Sequence, residues 1–255
     1  MKKDIKIIQS IRKLIIEKSF YAKSSHIGSC LSIVEILYCI YFLIKKKNDI
    51  FILSKGHAAL ALYVILYLKN KITRRTLDTY GKNNTILMSH TSHKVNGVEF
   101  STGSLGHGIP YGVGKALYFK KNKIKKRVIV LISDGELDEG TTWESLLFAS
   151  HHKLNNLKII IDYNKIQSLD YVKNVIKVEP LNKKLLSFGA NVINCDGHNV
   201  NKLKLALNKK SSKPTVIVAN TVKGKGVSFM ENDNLWHYKS PSYDEMKKAL
   251  IELSK

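Results

Sequence analysis

Cysteine is nearly absent from this 255-residue sequence, which has only Cys30, Cys39 and Cys195. Three scattered cysteines exclude a disulfide framework and a CxxC metal site, and they fit small buried hydrophobes in a reducing compartment. Proline is as scarce, at 4 residues, and the hydrophobic fraction is an ordinary 44%. Both exclude a disordered or collagen-like chain. Long apolar runs are missing too. The longest, Ala58 to Leu68, falls short of the roughly 18 residues that a bilayer span needs, so no transmembrane helix is expected. The opening stretch MKKDIKIIQSIRKLIIEKSF keeps Lys, Arg or Glu every few residues and lacks the apolar core of a secretory signal. A cytoplasmic protein is the expectation.

Acidic residues are few as well. Lys and Arg number 42 against 20 Asp and Glu, a formal net charge of +22. Such an excess is a cue for polyanions. The cations are spread over runs at 45–47, 120–126, 183–184 and 209–210, however, in a sequence rich in Lys, Asn and Ile throughout. They form no single block with interleaved aromatics, and nucleic acid is not the expected partner.

No repeat or Pro/Gly/Ser linker divides the chain, so residues 1–255 read as one domain. Helical spacing of apolar residues appears at 5–20 and, nearly all round, at 31–44 and 58–68. Residues 51–54 read as a short strand or turn. A polar stretch rich in Gly, His, Ser and Thr spans 81–109, and so long a loop in a compact domain is usually functional. Four β-branched runs follow at 127–133, 157–162, 190–195 and 214–221, alternating with helical segments at 141–154, 180–188 and 199–209. Strands apolar throughout and alternating with helices indicate an α/β fold with a mainly parallel sheet flanked by helices.

Open parallel sheets bind ligands at the carboxyl ends of their strands. Ser133-Asp134-Gly135-Glu136 follows the first β-branched run, Asp162-Tyr163-Asn164-Lys165-Ile166 the second, Asp196-Gly197-His198 the third and Val222-Lys223-Gly224-Lys225-Gly226 the fourth. Taken singly, Asp134-Gly135 reads more readily as a turn and Asn164 as a strand cap. Placed side by side on neighbouring strands, a carboxylate, an amide oxygen and a nearby carbonyl make a hard-oxygen set for Mg²⁺ or Ca²⁺, not zinc. So few protein ligands leave room for phosphate oxygens, as is usual for Mg²⁺. Gly135 would let backbone approach a phosphate, with the helix starting near Thr141 aimed at the same rim. The glycine-rich stretch 101–114 contains neither a strand-to-helix GxGxxG nor a Walker-type loop, which argues against a dinucleotide or P-loop site.

DGELDEG at 134–140 with Asn164 at its distance resembles the thiamine-diphosphate motif, GDG followed about 30 residues later by Asn. SSHIGSCLS (24–32), FILSKGHAALALY (51–63), SHTSHKVNGVEFSTGSLGHG (89–108) and TVKGKGVSFMEN (221–232) extend the likeness in order. Together they resemble the N-terminal half of transketolase, best the separate N-terminal subunit of split transketolases, over essentially the whole chain. The resemblance implies a three-layer thiamine-diphosphate-binding fold, with thiamine diphosphate and Mg²⁺ as cofactors. It makes Asp134, Asn164 and the Ile166 carbonyl the metal ligands, puts the Gly135 amide at the diphosphate and counts Glu136 among the cofactor-binding residues. His57 would contact the cofactor, and Gly103, Ser104 and Leu105 would face its aminopyrimidine. His26 and His90 would line a sugar-phosphate channel, and these two together with His237 would be the catalytic residues. Glu139 and Glu144 match acidic positions of the family, the first in a chain of carboxylates linking two cofactors. Three departures stand out: Ser133 replaces the first glycine of GDG, Tyr238 follows His237 where glycine is usual, and Thr91 stands where many relatives have proline.

The implied reaction moves a two-carbon ketol unit from a ketose phosphate to an aldose phosphate. Full enzymes of the family are about twice as long, and their second half carries the glutamate that meets the aminopyrimidine. The resemblance therefore implies a hetero-oligomer with a C-terminal partner subunit and no activity alone. A related thiamine-diphosphate subunit, such as one of deoxyxylulose-phosphate synthase type, and a non-enzymatic binding protein on the same fold are the alternatives.

Overall fold

The computed structural model describes residues 2–254. Five strands, β1 (Ile50–Leu53), β2 (Val128–Ser133), β3 (Leu157–Tyr163), β4 (Asn191–Asp196) and β5 (Thr215–Asn220), form one sheet in the order β1-β2-β3-β5-β4. Every pairing is parallel. The period of two along each strand divides its side chains between two cores. On β2, Ile129 and Leu131 join one core while Val128, Val130 and Ile132 join the other, and β3 and β5 divide alike. The first core is closed by helices Lys2–Ala22, Ala59–Leu68, Val200–Asn208 and Tyr243–Glu252, the second by Gly108–Lys121, Gly140–His151 and Leu181–Ser187. Three layers result, as the apolar runs imply. No helix among the described residues is long and apolar enough to cross a membrane.

The structure departs from the sequence reading in three elements. The stretch 31–44 is not one helix. It comprises Ile27–Leu31, Val34–Tyr38 and a wide-turned segment Cys39–Ile44, with Ile33 (φ −105°, ψ 9°) interrupting it. Gly108–Lys121 is helical although its glycines and proline suggest a loop. Pro110 lies in the first turn, where its missing N–H costs nothing. A Cβ on Gly112 would sit 2.6 Å from a Val130 methyl, so this glycine allows helix and sheet to meet closely. The helix Tyr243–Glu252 carries a capping box, in which Glu245 N–H donates to Ser242 Oγ (3.3 Å) and Ser242 N–H to Glu245 Oε2 (2.8 Å). Ser242-Tyr243-Asp244-Glu245 carries the Ser-x-x-Glu signature of that box.

Register decides the site. Ser133 pairs with Asp162, and Asp162 with Ala219, so Asp134, Asn164 and Thr221 leave adjacent strands at the same rim.

Candidate active site

A cavity of about 200 Å³ opens at that rim. Lys55 and His57 enter it from beyond β1, Ser133, Asp134 and Gly135 from the end of β2, and Asn164, Ile166, Gln167 and Ser168 from beyond β3. His26, Ser29, His90, Gly103, Leu105 and His237 complete the wall. The polar loop is pinned in place there. Thr102 Oγ1 donates to the Leu53 carbonyl (2.6 Å), and the Tyr63 hydroxyl donates to the His90 carbonyl (2.9 Å).

Three oxygen donors meet in the wall. Asp134 is buried, its Oδ2 accepting from Lys165 N–H (2.6 Å) and its Oδ1 from Gly135 N–H (2.9 Å). Burial, helped by the negative charge of Asp162, pushes the Asp134 carboxyl up to about 7. An anion so disfavoured is stabilised by an added cation. The Asn164 amide is oriented by its neighbour, its Nδ2 donating to Asp162 Oδ2 (3.0 Å) while Oδ1 accepts from Ile166 N–H (3.1 Å). The Ile166 carbonyl, which lines the cavity with Asp134 and Asn164, accepts from Lys223 Nζ at 3.3 Å. One carboxylate with amide and carbonyl oxygens suits a hard divalent ion whose remaining positions are filled by a ligand. Among the described residues no group of three or more His, Cys, Asp or Glu could hold a metal, so a zinc-like site is not present there. Ser133 Oγ is buried and has no hydrogen-bond partner, leaving polar capacity for a bound group at the cavity wall.

Beneath these donors lies Asp162, fully buried. It accepts from Ser32 Oγ (2.7 Å), Thr221 Oγ1, Asn164 Nδ2 and Lys55 Nζ. Burial pushes its carboxyl up, but the Lys55 charge and these hydrogen bonds outweigh that and hold it below the usual range. Lys223, also buried, donates to the carbonyls of Ile166 and Gln167 (3.1 Å), to Asn234 Oδ1 (3.3 Å) and to His237 Nδ1 (3.1 Å). Burial and the charge of Lys55 lower it to about 8.

Four histidines face the donor set. The His26 ring lies 5.5 Å from His57, 5.7 Å from His90 and 4.9 Å from His237. Burial pushes His26 down to about 4 and His237 to about 3, lowers His90, and takes His57 well below its ordinary value. Near pH 7 these are neutral imidazoles that can both donate and accept. His26 adopts a left-handed backbone (φ 67°), and its N–H donates to the His237 carbonyl at 2.8 Å. Strain of this kind collects at functional sites.

Four residues named from sequence stand outside the cavity wall. Ser104 is exposed. Glu136 is fully buried behind the wall, where it accepts from Ser54 Oγ, Gly106 N–H (3.1 Å) and Ser133 N–H (3.0 Å), tying three rim segments together. Its oxygens are occupied within the protein, which opposes direct contact with a diphosphate. Glu139 and Glu144 are exposed near the start of helix Gly140–His151. The sequence places Asp162 and Lys223 just after strands but assigns no role to them or to Lys55. Their signal was a lysine or aspartate set among glycines or at the end of an apolar strand.

Comparison with known proteins agrees along the chain. The family model described as the transketolase, thiamine diphosphate binding domain, matches residues 3–253. One of the subunits of apulose-4-phosphate transketolase from Actinobacillus succinogenes is 41% identical over 254 residues, covering 95% of this chain and 92% of that protein. A 6-deoxy-6-sulfo-D-fructose transketolase subunit from Clostridium sp. is 36% identical, covering 96% and 94%. The crystal structure of Campylobacter jejuni transketolase superposes with a TM-score of 0.90 at 27% identity, covering 98% of this chain and 42% of that one.

Proposed function

Since the chain belongs to the transketolase thiamine-diphosphate-binding family, we propose that it is the N-terminal subunit of a split transketolase. It moves a two-carbon ketol unit from a ketose phosphate to an aldose phosphate. The observation that carries this reading is one cavity in which Asp134, Asn164 and the Ile166 carbonyl face four neutral histidines. Thiamine diphosphate, when bound, supplies the carbanion stabilisation that ketol transfer needs.

The chain's own residues bind, orient and move protons. Asp134, Asn164 and Ile166 would hold Mg²⁺ against the diphosphate. Gly135 supports this role, because a Cβ there would make only ordinary contacts, with the Gln167 side chain at 3.6 Å and Ser133 Oγ at 3.8 Å. Protein packing does not demand a glycine at that position, and the lack of a side chain leaves the backbone open to a bound group. The Lys223 ammonium adds a buried positive charge beside the same donors. His57 would contact the cofactor, and Gly103 and Leu105 would face its aminopyrimidine. His26, His90 and His237 exchange protons with sugar oxygens, a task suited to rings that are neutral at working pH.

The partner supplies the rest. The two similar proteins of matching length are each named as one subunit of a transketolase, and the Campylobacter enzyme extends far beyond the matched part. A C-terminal subunit would bring the carboxylate that meets the aminopyrimidine, and such proton-transfer assistance contributes about 10²–10⁴-fold. The test is co-expression with a candidate C-terminal partner and a coupled ketol-transfer assay, with ketose phosphate and pyruvate compared as donors. Activity is expected only in the complex and with the sugar donor, and Asp134→Ala should abolish Mg²⁺-dependent cofactor binding. Turnover of roughly 1 s⁻¹ or more by the chain alone, free of host transketolase, would refute the half-enzyme reading.

A further inference from the structure

Behind the cavity, and not part of its wall, Arg12, Glu35 and His198 are joined in a chain of hydrogen bonds. Arg12 Nη2 forks onto both Glu35 oxygens (2.7 and 2.8 Å), and His198 Nδ1 meets Glu35 Oε2 at 3.0 Å. The outer ends of the chain both grip one loop. His198 Nε2 accepts from Val222 N–H (2.8 Å), and Arg12 Nε donates to the Lys225 carbonyl (2.8 Å). Between those two anchors sits Lys223, whose ammonium reaches Ile166, Gln167 and His237.

We infer that Arg12, Glu35 and His198 are positioning residues that fix the Val222–Gly226 loop and, through it, the Lys223 ammonium at the cofactor site. The inference rests on the cavity being the diphosphate site. The pattern leaves the network little freedom. A backbone N–H can only donate, so His198 Nε2 is bare, the ring proton sits on Nδ1, and it points at a carboxylate that can only accept. Arg12 uses Nη2 for both Glu35 oxygens and Nε for the loop, two nitrogens held in one plane that a lysine ammonium cannot reproduce. The loop is built to receive it. Gly226 has φ +96°, and a Cβ there would lie 2.7 Å from Arg12 Cδ and Nε. Lys223 is a long side chain whose tip goes where its backbone is held. Two of the backbone bonds holding it come from this network, and a third runs from Gly224 N–H to the Gly28 carbonyl (3.0 Å).

Two measurements on the full chain test the inference. The first is hydrogen exchange of the wild type, His198→Phe and Arg12→Lys without ligand. Amides of Val222–Gly226 should exchange about tenfold faster in both variants while those of β2 and β3 stay protected. Unchanged loop exchange in a folded variant overturns the proposal. The second is a double-mutant cycle read by calorimetric titration with thiamine diphosphate and Mg²⁺. His198→Phe should weaken binding about tenfold, and His198→Phe with Lys223→Met should bind no more weakly than Lys223→Met alone. Losses that multiply would mean that His198 does not act through Lys223. Arg12→Lys takes its place in the cycle if His198→Phe does not fold. A wild-type chain that binds no thiamine diphosphate even with its partner would defeat the cofactor reading, and the exchange result would still decide whether the network holds the loop.

Discussion

Replacing Asp162 by Asn keeps the volume and removes one charge from the most enclosed ion pair of the site. Asp162 and Lys55 are each 0% exposed, and the other hydrogen bond of the Lys55 ammonium is a 3.3 Å contact to the Ser29 carbonyl. The carboxylate receives four donors, whereas an asparagine has one acceptor and turns an NH₂ toward groups that also donate. Breaking a buried pair by removing one partner costs about 3–5 kcal/mol, because the remaining charge stays in a place water cannot reach. At about 2–4 °C per kcal/mol for a chain of this size, Tm should fall by roughly 6–20 °C. Differential scanning calorimetry of Asp162→Asn reads this directly. Lys55→Met combined with Asp162→Asn should regain more than half of the loss, since the stranded charge is gone. A fall of under about 2 °C, or a double variant no more stable than the single one, would refute the argument.

Two further expectations follow from burial and packing. His26 and His237 take up protons in the unfolded chain near pH 6.5 but in the folded chain only near 4 and 3. Their contribution is therefore complete above about pH 6.5 and is lost as the pH falls toward 4, on the order of 3 kcal/mol for the pair after solvent screening. Urea midpoints at pH 7.5 and 4.5 should differ for the wild type and much less for His26→Asn/His237→Asn, and equal differences would sink the linkage. Gly112→Ala should cost about 1–3 kcal/mol against Val130, whereas Gly114→Ala, with nothing within 4 Å, should gain up to about 1 kcal/mol. Thermal melts separate the two, and similar Tm shifts would contradict the packing account.

What could be read from sequence follows from what repeats locally. Apolar runs such as Val128–Ile132 alternate between two cores, so both strand and burial were visible in them. Asp134 and Asn164 could be placed at one rim because each ends such a run on adjacent strands. The helix Gly108–Lys121 was hidden because Gly112 answers to a neighbour, Val130, far away in sequence. The place of Glu136 was hidden for a related reason. Next to Asp134-Gly135 it looks like a ligand of the same group, but the tight turn Asp134–Asp138 swings its carboxylate back to Ser54 and Gly106. The burial of Lys55 and Lys223 could not be told from the exposure of other lysines among 42 cations, since a buried lysine and a solvated one are written with the same letter.

The excess of positive charge, which composition left undecided, acquires a partial cause in the topology. Every strand is parallel, so the helices that return the chain end at the rim opposite the site, with their orphan carbonyls and negative dipole ends. There the sequence puts Lys46, Lys120, Lys123, Lys125, Lys126, Arg127, Lys158, Lys209 and Lys210 around a cleft of about 980 Å³. Several are spent on those carbonyls. Lys120 Nζ donates to the carbonyls of His152 (2.8 Å) and Lys153 (2.7 Å) beyond helix Gly140–His151. Lys158 Nζ donates to the Lys209 carbonyl (2.6 Å) just after Val200–Asn208, and Arg127 Nη2 donates to the Ile44 carbonyl (2.9 Å). Asp49, the acid of this cleft, is bound to Arg127 at 2.6 Å. The same polarity operates at the other rim with a different result. There Lys55 and Lys223 are buried, one on Asp162 and the other on the Ile166 and Gln167 carbonyls. One set of lysines closes the ends of helices, and the other charges a cavity that the strands hold open.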